Sequence, residues 1–334
     1  MNKTTKILLG IVAVVAVIVG VIFLTSQKST EQVAETTKIK IANLPIVQGL
    51  PLYLAIEKGY FKEAGLDVEM VKFEAPNQIV DAVLNGQVDF TSPSGAIGIL
   101  GIANFKNPGK LKIYAAAGGD DNIQNDAILV KSDSTIQNIQ ELKGKKLGIL
   151  PGIQWRTIAQ HILKQNNLTA DTDVVLIELA AGLQAPALAS GEIDALLGVE
   201  PTPTIVKAKG IGKELVSIST TKYVASPFYG GAGAVRTEFA TQNPNTTKKV
   251  LDIFERAINE INENPDAARQ YLKGNTPLDD SAIAQVPISR FRMYNDLTQE
   301  DMGAVQKFYD IFSTYKVIDG KMDFGKLLYS ATKN

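Results

Sequence analysis

From residue 38 onward, short runs rich in Ile, Val and Leu alternate with longer amphipathic stretches. The pattern predicts strands at 39–44 and 67–73 with helices at 53–63 and 78–84. A second series follows in the same order: strand 146–150, helix 156–165, strand 174–179 and helix 185–190. Alternation of this kind belongs to a largely parallel α/β sheet whose helices cover its faces.

The two series also share letters. The first strand of each runs into Leu44-Pro45-x-x-Gln48 or Leu150-Pro151-x-x-Gln154, and each then reaches an A-x-x-x-G-x-[VI]-D string ending at Asp89 or Asp194. Matching order and spacing predict two duplicated half-domains. Each half supplies one loop after its first strand and another after its Asp-containing strand, and both loops open at the carboxyl ends of parallel strands, where ligands bind in such sheets. Two such edges facing each other form a cleft between lobes, the geometry of hinge-closing receptors.

Residues 7–24 break the pattern as an uninterrupted apolar run preceded by Lys3 and Lys6. As a helix of about 18 residues it would extend roughly 27 Å, close to the thickness of a thin bilayer core. An uncleaved transmembrane anchor is the expectation, with residues 1–6 in the cytoplasm. A cleaved signal segment is the alternative, although Ala34 follows Gln32 where a cleavage site wants a small residue. The two lysines place the remainder outside the cytoplasm in either case, and polar residues 25–37 read as a flexible tether.

Composition removes several functions. The chain holds no cysteine, which excludes disulfides, thiolate metal sites, cysteine nucleophiles and an acylated cysteine anchor. Its 34 basic and 35 acidic side chains offer no broad field for nucleic acid. His161 is the sole histidine and falls mid-helix, so it builds neither an acid–base pair nor a histidine metal cluster. There is no G-x-S-x-G, no phosphate-binding glycine loop and no metal-ligand spacing.

The block IKIANLPIVQGLPLYLAIEKGYFKEAGLDVEMVKF, with Ala55, Gly59, Phe61 and Gly65 in A-x-E-K-G-Y-F and G-L-x-V, resembles the opening of the type II periplasmic binding proteins of the nitrate, sulfonate and taurine group. That group includes receptors for thiamine-pyrimidine precursors. DAVLNGQVDFTSPSG, LASGEIDALLGVEPTP and GAVRTEFATQNP resemble later blocks of the same family. The resemblance implies a two-lobed α/β fold with a ligand cleft, lobe 1 at 38–126 and 231–334 and lobe 2 at 127–230. It further implies a monomeric, membrane-tethered solute receptor without cofactor or metal, which closes on a small molecule and delivers it to permease subunits powered by a cytoplasmic ATPase. A sensor for a signalling partner is the alternative, but about six cytoplasmic residues leave no room for an output domain. Pyrimidine-synthesising relatives of the fold depend on cysteine and histidine, and this chain departs from them.

The candidate contacts follow the loops. Gln48 offers a carboxamide and Gly49 close backbone approach, or both form a plain polar turn. Thr91, Ser92 and Ser94 gather hydroxyls on a loop after Asp89, which orients a polar solute or caps the next helix. Gly152 and Gln154 open a helix whose first amides suit an anionic group, although Ile153 and Gln154 replace the hydroxyls expected beside an oxyanion. Trp155 forms a flat wall or packs in the core. Gly119 sits beside Asp120 and Asp121, which read as a solvated turn. By resemblance to the family's acid–Pro pair, Glu200 would favour a solute with an amine or ring N–H. Tyr229 lies beside Gly230 and Gly231, a glycine pair suited to the hinge.

Overall fold

The computed structural model describes Glu35 and residues 37–330. The expected anchor at 7–24 and most of the tether lie outside the described residues, among which no helix is long and apolar enough to cross a membrane. The strands in chain order are β1 (Lys38–Asn43), β2 (Asp67–Lys72), β3 (Phe90–Ala96), β4 (Leu111–Gly119), β5 (Asp126–Lys131), β6 (Lys146–Ile149), β7 (Val175–Glu178), β8 (Ala195–Val199), β9 (Gly212–Ser217), β10 (Phe228–Arg236) and β11 (Arg290–Met293). Helices of eight residues or more are α1 (Leu50–Glu57), α2 (Pro76–Leu84), α3 (Ile97–Lys106), α4 (Ile153–Gln165), α5 (Ala181–Ser190), α6 (Pro244–Glu263) and α7 (Gln299–Thr314).

Two sheets result, one six-stranded in the order β2-β1-β3-β10-β4-β11 and one five-stranded in the order β7-β6-β8-β5-β9. They are built alike. β1 is parallel to β2 and β3, as β6 is to β7 and β8, and Ile41 stands opposite Phe90 as Leu147 stands opposite Ala195. Beside β3 and β8 lies an antiparallel strand, β10 and β5 respectively, that has just crossed from the other sheet. Asp126 therefore opens a strand of the five-stranded sheet, and residues 228–230 already belong to the six-stranded one. The chain changes sheet a few residues away from the divisions expected from sequence.

The repeated letters correspond to repeated bonds. Asp89 Oδ2 accepts the Lys40 N–H at 3.0 Å while its own N–H donates to the Lys40 carbonyl at 2.9 Å. Asp194 repeats this with Lys146 at 2.8 and 3.0 Å. The carbonyl of Ala82 ends α2 by accepting from Gln87 N at 2.9 Å, and that of Ala187 ends α5 by accepting from Glu192 N at 3.0 Å. Gly86 and Gly191 turn out of these helices at φ 71° and 78°, a region that favours glycine. Although the first of the two was expected to end a strand, each Asp thus immediately precedes one. Its carboxylate locks the register of the two central strands.

Other boundaries shift for local reasons. The helix expected at 53–63 is two, because Gly59 at φ 75° breaks it. Pro76 begins α2 at a position where the missing N–H costs nothing. The helix expected from residue 185 starts at Ala181 and carries Pro186 inside it.

Both sheets are covered on both faces, which is why runs such as ALLGV in β8 read as continuously apolar. In β5, Ile128 and Val130 join one core cluster while Ala127 and Leu129 join the other. The A-x-E-K-G-Y-F block docks on α6: Lys58 and Tyr60 both donate to the Glu260 carboxylate, and the Arg256 guanidinium lies 3.6 Å from the Tyr60 ring centroid. Phe61 meets Phe254 edge to face at 6.3 Å. His161 touches Tyr315, its Nδ1 lying 3.3 Å from the phenol oxygen.

Replacing Asp194 with alanine leaves the Lys146 amide without its acceptor and is expected to cost about 1–3 kcal/mol. Gly182→Ala, inside α5 with nothing within 4 Å of the new methyl group, is expected to gain about 0.5–1 kcal/mol. Urea midpoints of the full-length chain check both.

Candidate functional site

The carboxyl ends of β1, β3, β6 and β8 come together where the sheets meet. After β1 a tight turn, Val47–Gly49, presents Gln48, which is 4% exposed. Its Nε2 donates to Asn125 Oδ1 at 3.3 Å, and the Ser289 hydroxyl donates to the same oxygen at 2.9 Å. Asn125 lies on the first crossing between sheets, just before β5. Its carbonyl accepts from Glu200 N at 2.9 Å, and the Glu200 carbonyl accepts from Val47 N at 3.3 Å. Four segments far apart in sequence are thereby tied into one cluster.

Glu200 is fully buried at the end of β8. Its Oε2 accepts from the Thr204 amide at 3.2 Å, whereas Oε1 has no hydrogen-bond partner. Burial pushes its carboxyl up to about 7, against the pull of Thr204. Asn125 Nδ2 is also buried and unpartnered. An acceptor and a donor with open valences therefore stand on adjoining segments of the cluster.

Gln154, 1% exposed in the first turn of α4, reaches to the other sheet's elements. Its Oε1 accepts from Gly98 N at 2.7 Å and its Nε2 donates to the Gly230 carbonyl at 2.9 Å.

Thr91, Ser92 and Ser94 are not on a loop; all three lie within buried β3. The Thr91 hydroxyl donates to the Ala232 carbonyl at 3.2 Å and accepts from Ala234 N at 3.0 Å, bridging an irregularity in β10. Ser92 Oγ donates to Asn43 Oδ1 at 2.7 Å, and Ser94 Oγ accepts from Leu44 N at 2.9 Å. Nor do these hydroxyls cap a helix, since α3 starts after Ala96 with no side-chain cap. They are committed to joining β1, β3 and β10.

The glycines answer to close packing. A methyl group on Gly49 would lie 2.5 Å from the Tyr53 hydroxyl, one on Gly119 2.3 Å from the Ile123 carbonyl oxygen, and one on Gly231 2.5 Å from Gln48 Oε1. Gly152 takes φ 105°, and its N–H points to Glu178 Oε2 at 3.3 Å. Trp155 is 4% exposed and packs in the core with Ile158 and Ile162. The Tyr229 hydroxyl donates to Asp301 Oδ1 at 2.7 Å, at the amino end of α7. Asp120 is no freely solvated turn residue. Burial raises its pKa, but the amides of Asn122 and Ile123 and the Arg290 guanidinium at 2.7 Å outweigh that and hold it below the usual carboxylate range.

Of the sequence candidates, Gln48, Gln154 and Glu200 make polar contacts between the sheets. Asn125, Ser289, Gly98 and Gly230 join them, and sequence reasoning gave none of these as a contact. Asn125 lies four residues after the Gly-Gly-Asp-Asp turn, at a crossing, a usable signal; Ser289 had none.

Glu200 gives the site a pH signature. With its folded pKa raised above the ordinary 4.5, the stability it contributes is present at low pH and lost as pH rises through about 7. The unliganded wild type is expected to lose about 2.5 kcal/mol more than Glu200→Gln between pH 5 and pH 8.5, read from urea midpoints of both.

Residues 47–268 match the model of the NMT1/THI5-like family. A putative aliphatic sulfonates-binding protein of Bacillus subtilis is 29% identical over 92% of this chain and 91% of its own length. A 4-amino-5-hydroxymethyl-2-methylpyrimidine phosphate synthase of Saccharomyces cerevisiae is 24% identical over 68% of each chain. Among solved structures, the alkanesulfonate-binding protein SsuA of Xanthomonas axonopodis bound to MOPS superposes with a TM-score of 0.72 at 17% identity, covering 89% of this chain and 99% of that one. The two-sheet architecture is thus that of a periplasmic binding protein, and the chain belongs to the NMT1/THI5-like family.

Proposed function

We propose that this chain is the extracytoplasmic solute-binding component of an ABC importer, a monomer that captures a small molecule between two lobes and delivers it unchanged to a membrane permease. The observation that carries the reading is the cluster of Gln48, Asn125, Glu200 and Ser289. It draws side chains from both sheets, and it leaves Glu200 Oε1 and Asn125 Nδ2 without partners. Closure driven by a solute requires contacts that exist in one state and not the other, and groups supplied by both sheets provide them. The resemblance to sulfonate-binding and pyrimidine-synthesising relatives supports a small polar solute.

Within that range, the open valences favour a solute that presents a hydrogen-bond donor to Glu200 and an acceptor to Asn125, as an amide or aminopyrimidine does. A sulfonate is the second reading, carried by the likeness to the Bacillus subtilis protein. Residues 7–24 are proposed to anchor the chain in the membrane, with the binding lobes outside the cytoplasm.

A thermal-shift screen of the full-length chain against pyrimidines, amides, amino acids, polyamines, sulfonates, taurine and nitrate is expected to give a saturable shift from one class, since selective binding stabilises the folded state. Glu200→Ala should weaken that binding at least about tenfold, the loss of one charge-assisted hydrogen bond. A shift from sulfonates that Glu200→Ala leaves intact would establish the second reading. In cell fractionation, the full-length chain should remain with membranes after an alkaline wash, and a chain lacking residues 7–24 should not.

A further inference from the structure

We propose that Gln154 is an intramolecular clasp: its carboxamide holds the two lobes together before any solute arrives and so sets how much of the free protein is competent to retain one. The inference rests on the receptor reading above and adds a residue that tunes it.

Gln154, unlike Glu200 and Asn125, has both polar atoms of its side chain hydrogen-bonded within the protein. Its backbone belongs to α4, which follows β6 of the five-stranded sheet, yet both hydrogen bonds of its side chain end on elements of the other sheet. The oxygen takes the Gly98 N–H at 2.7 Å, one of the amides that a helix start leaves without an internal partner. The amide nitrogen gives a hydrogen to the Gly230 carbonyl of β10 at 2.9 Å. The partial positive charge at the amino end of ten-residue α3 favours the oxygen there. Space has been cleared for it: a methyl group on Gly98 would lie 2.9 Å from Gln154 Oε1 and 2.6 Å from the Phe312 ring.

Glu200 and Asn125 show the opposite state, each with a buried atom unpartnered. The junction is therefore divided. One part is completed by the protein itself and the other is left for a solute. Closing an empty protein leaves those two valences open, which disfavours closure, and the clasp offsets that cost. Since apparent affinity scales with the competent fraction, a weaker clasp raises the apparent Kd by the factor by which the closed population falls.

The test measures closure without solute. The chain has no cysteine, so Lys106→Cys on α3 and Lys164→Cys on α4, both exposed, carry one spin label each in the full-length protein. The expected result is a short inter-label distance with Gln154 and a shift to longer distances in Gln154→Leu. Gln154→Glu supplies its own folding control. At pH 8.5 its carboxylate has no hydrogen for the Gly230 carbonyl and the distance lengthens; at pH 4, below the ordinary glutamate value, the protonated carboxyl donates and the short distance returns. The Gln154 protein measured at both pH values corrects for titration of Glu200. Unchanged distances in Gln154→Leu, or a Gln154→Glu distance that ignores pH, overturn the clasp. Failure of the solute screen alongside these distance changes would overturn the receptor reading and leave the clasp standing.

Discussion

Where two sheets press their strand ends together, water leaves polar groups on both sides, and each group must find a partner or carry a cost of about 1–3 kcal/mol. Most of the arrangement described here follows from that demand. Gln48 and Ser289 converge on one oxygen of Asn125, and the Glu200 backbone is bonded on both sides, to Asn125 and to Val47. Within the cluster of Gln48, Asn125, Glu200 and Ser289, the exceptions are Glu200 Oε1 and Asn125 Nδ2. Because nearly everything around them is satisfied, they define a small and specific deficit of hydrogen bonds.

That deficit exists because the two halves arrive at the same height. Asp89 and Asp194 lock equivalent pairs of strands in equivalent register, so the loops after β1, β3, β6 and β8 end at one level. The antiparallel strands β10 and β5 then tie each sheet to the segment that crosses from the other. The buried hydroxyls of β3 serve the same end by joining β1, β3 and β10 into a firm wall.

Much of this was legible in the sequence, and the reasons differ by element. The alternation of strands and helices and the duplicated strings were visible because their spacing is set by backbone geometry. The hydroxyl-rich segment at 91–94 misled because Thr, Ser, Pro and Gly are the ordinary vocabulary of loops; only tertiary partners such as Asn43 and the Ala232 carbonyl make a buried strand of it. Gln154 and Glu200 were found through their places in the repeat and in the acid–Pro pair. Asn125 and Ser289 were not, since the bonds that bring them together link positions 77 and 164 residues apart. Tyr229 and Gly119 have the right composition for a contact but are occupied by Asp301 and by close packing.

In the block by which the family is most easily read from sequence, A-x-E-K-G-Y-F, Lys58 and Tyr60 share Glu260 of α6, Arg256 covers the tyrosine ring, and Glu57 accepts from Asn275. None of these side chains takes part in the Gln48–Asn125–Glu200 cluster. The block thus seats a helix pair, and its side chains are physically independent of the cluster between the sheets. Two proteins can therefore share the same signature and diverge completely in cargo, or one can acquire catalysis while the other stays a carrier.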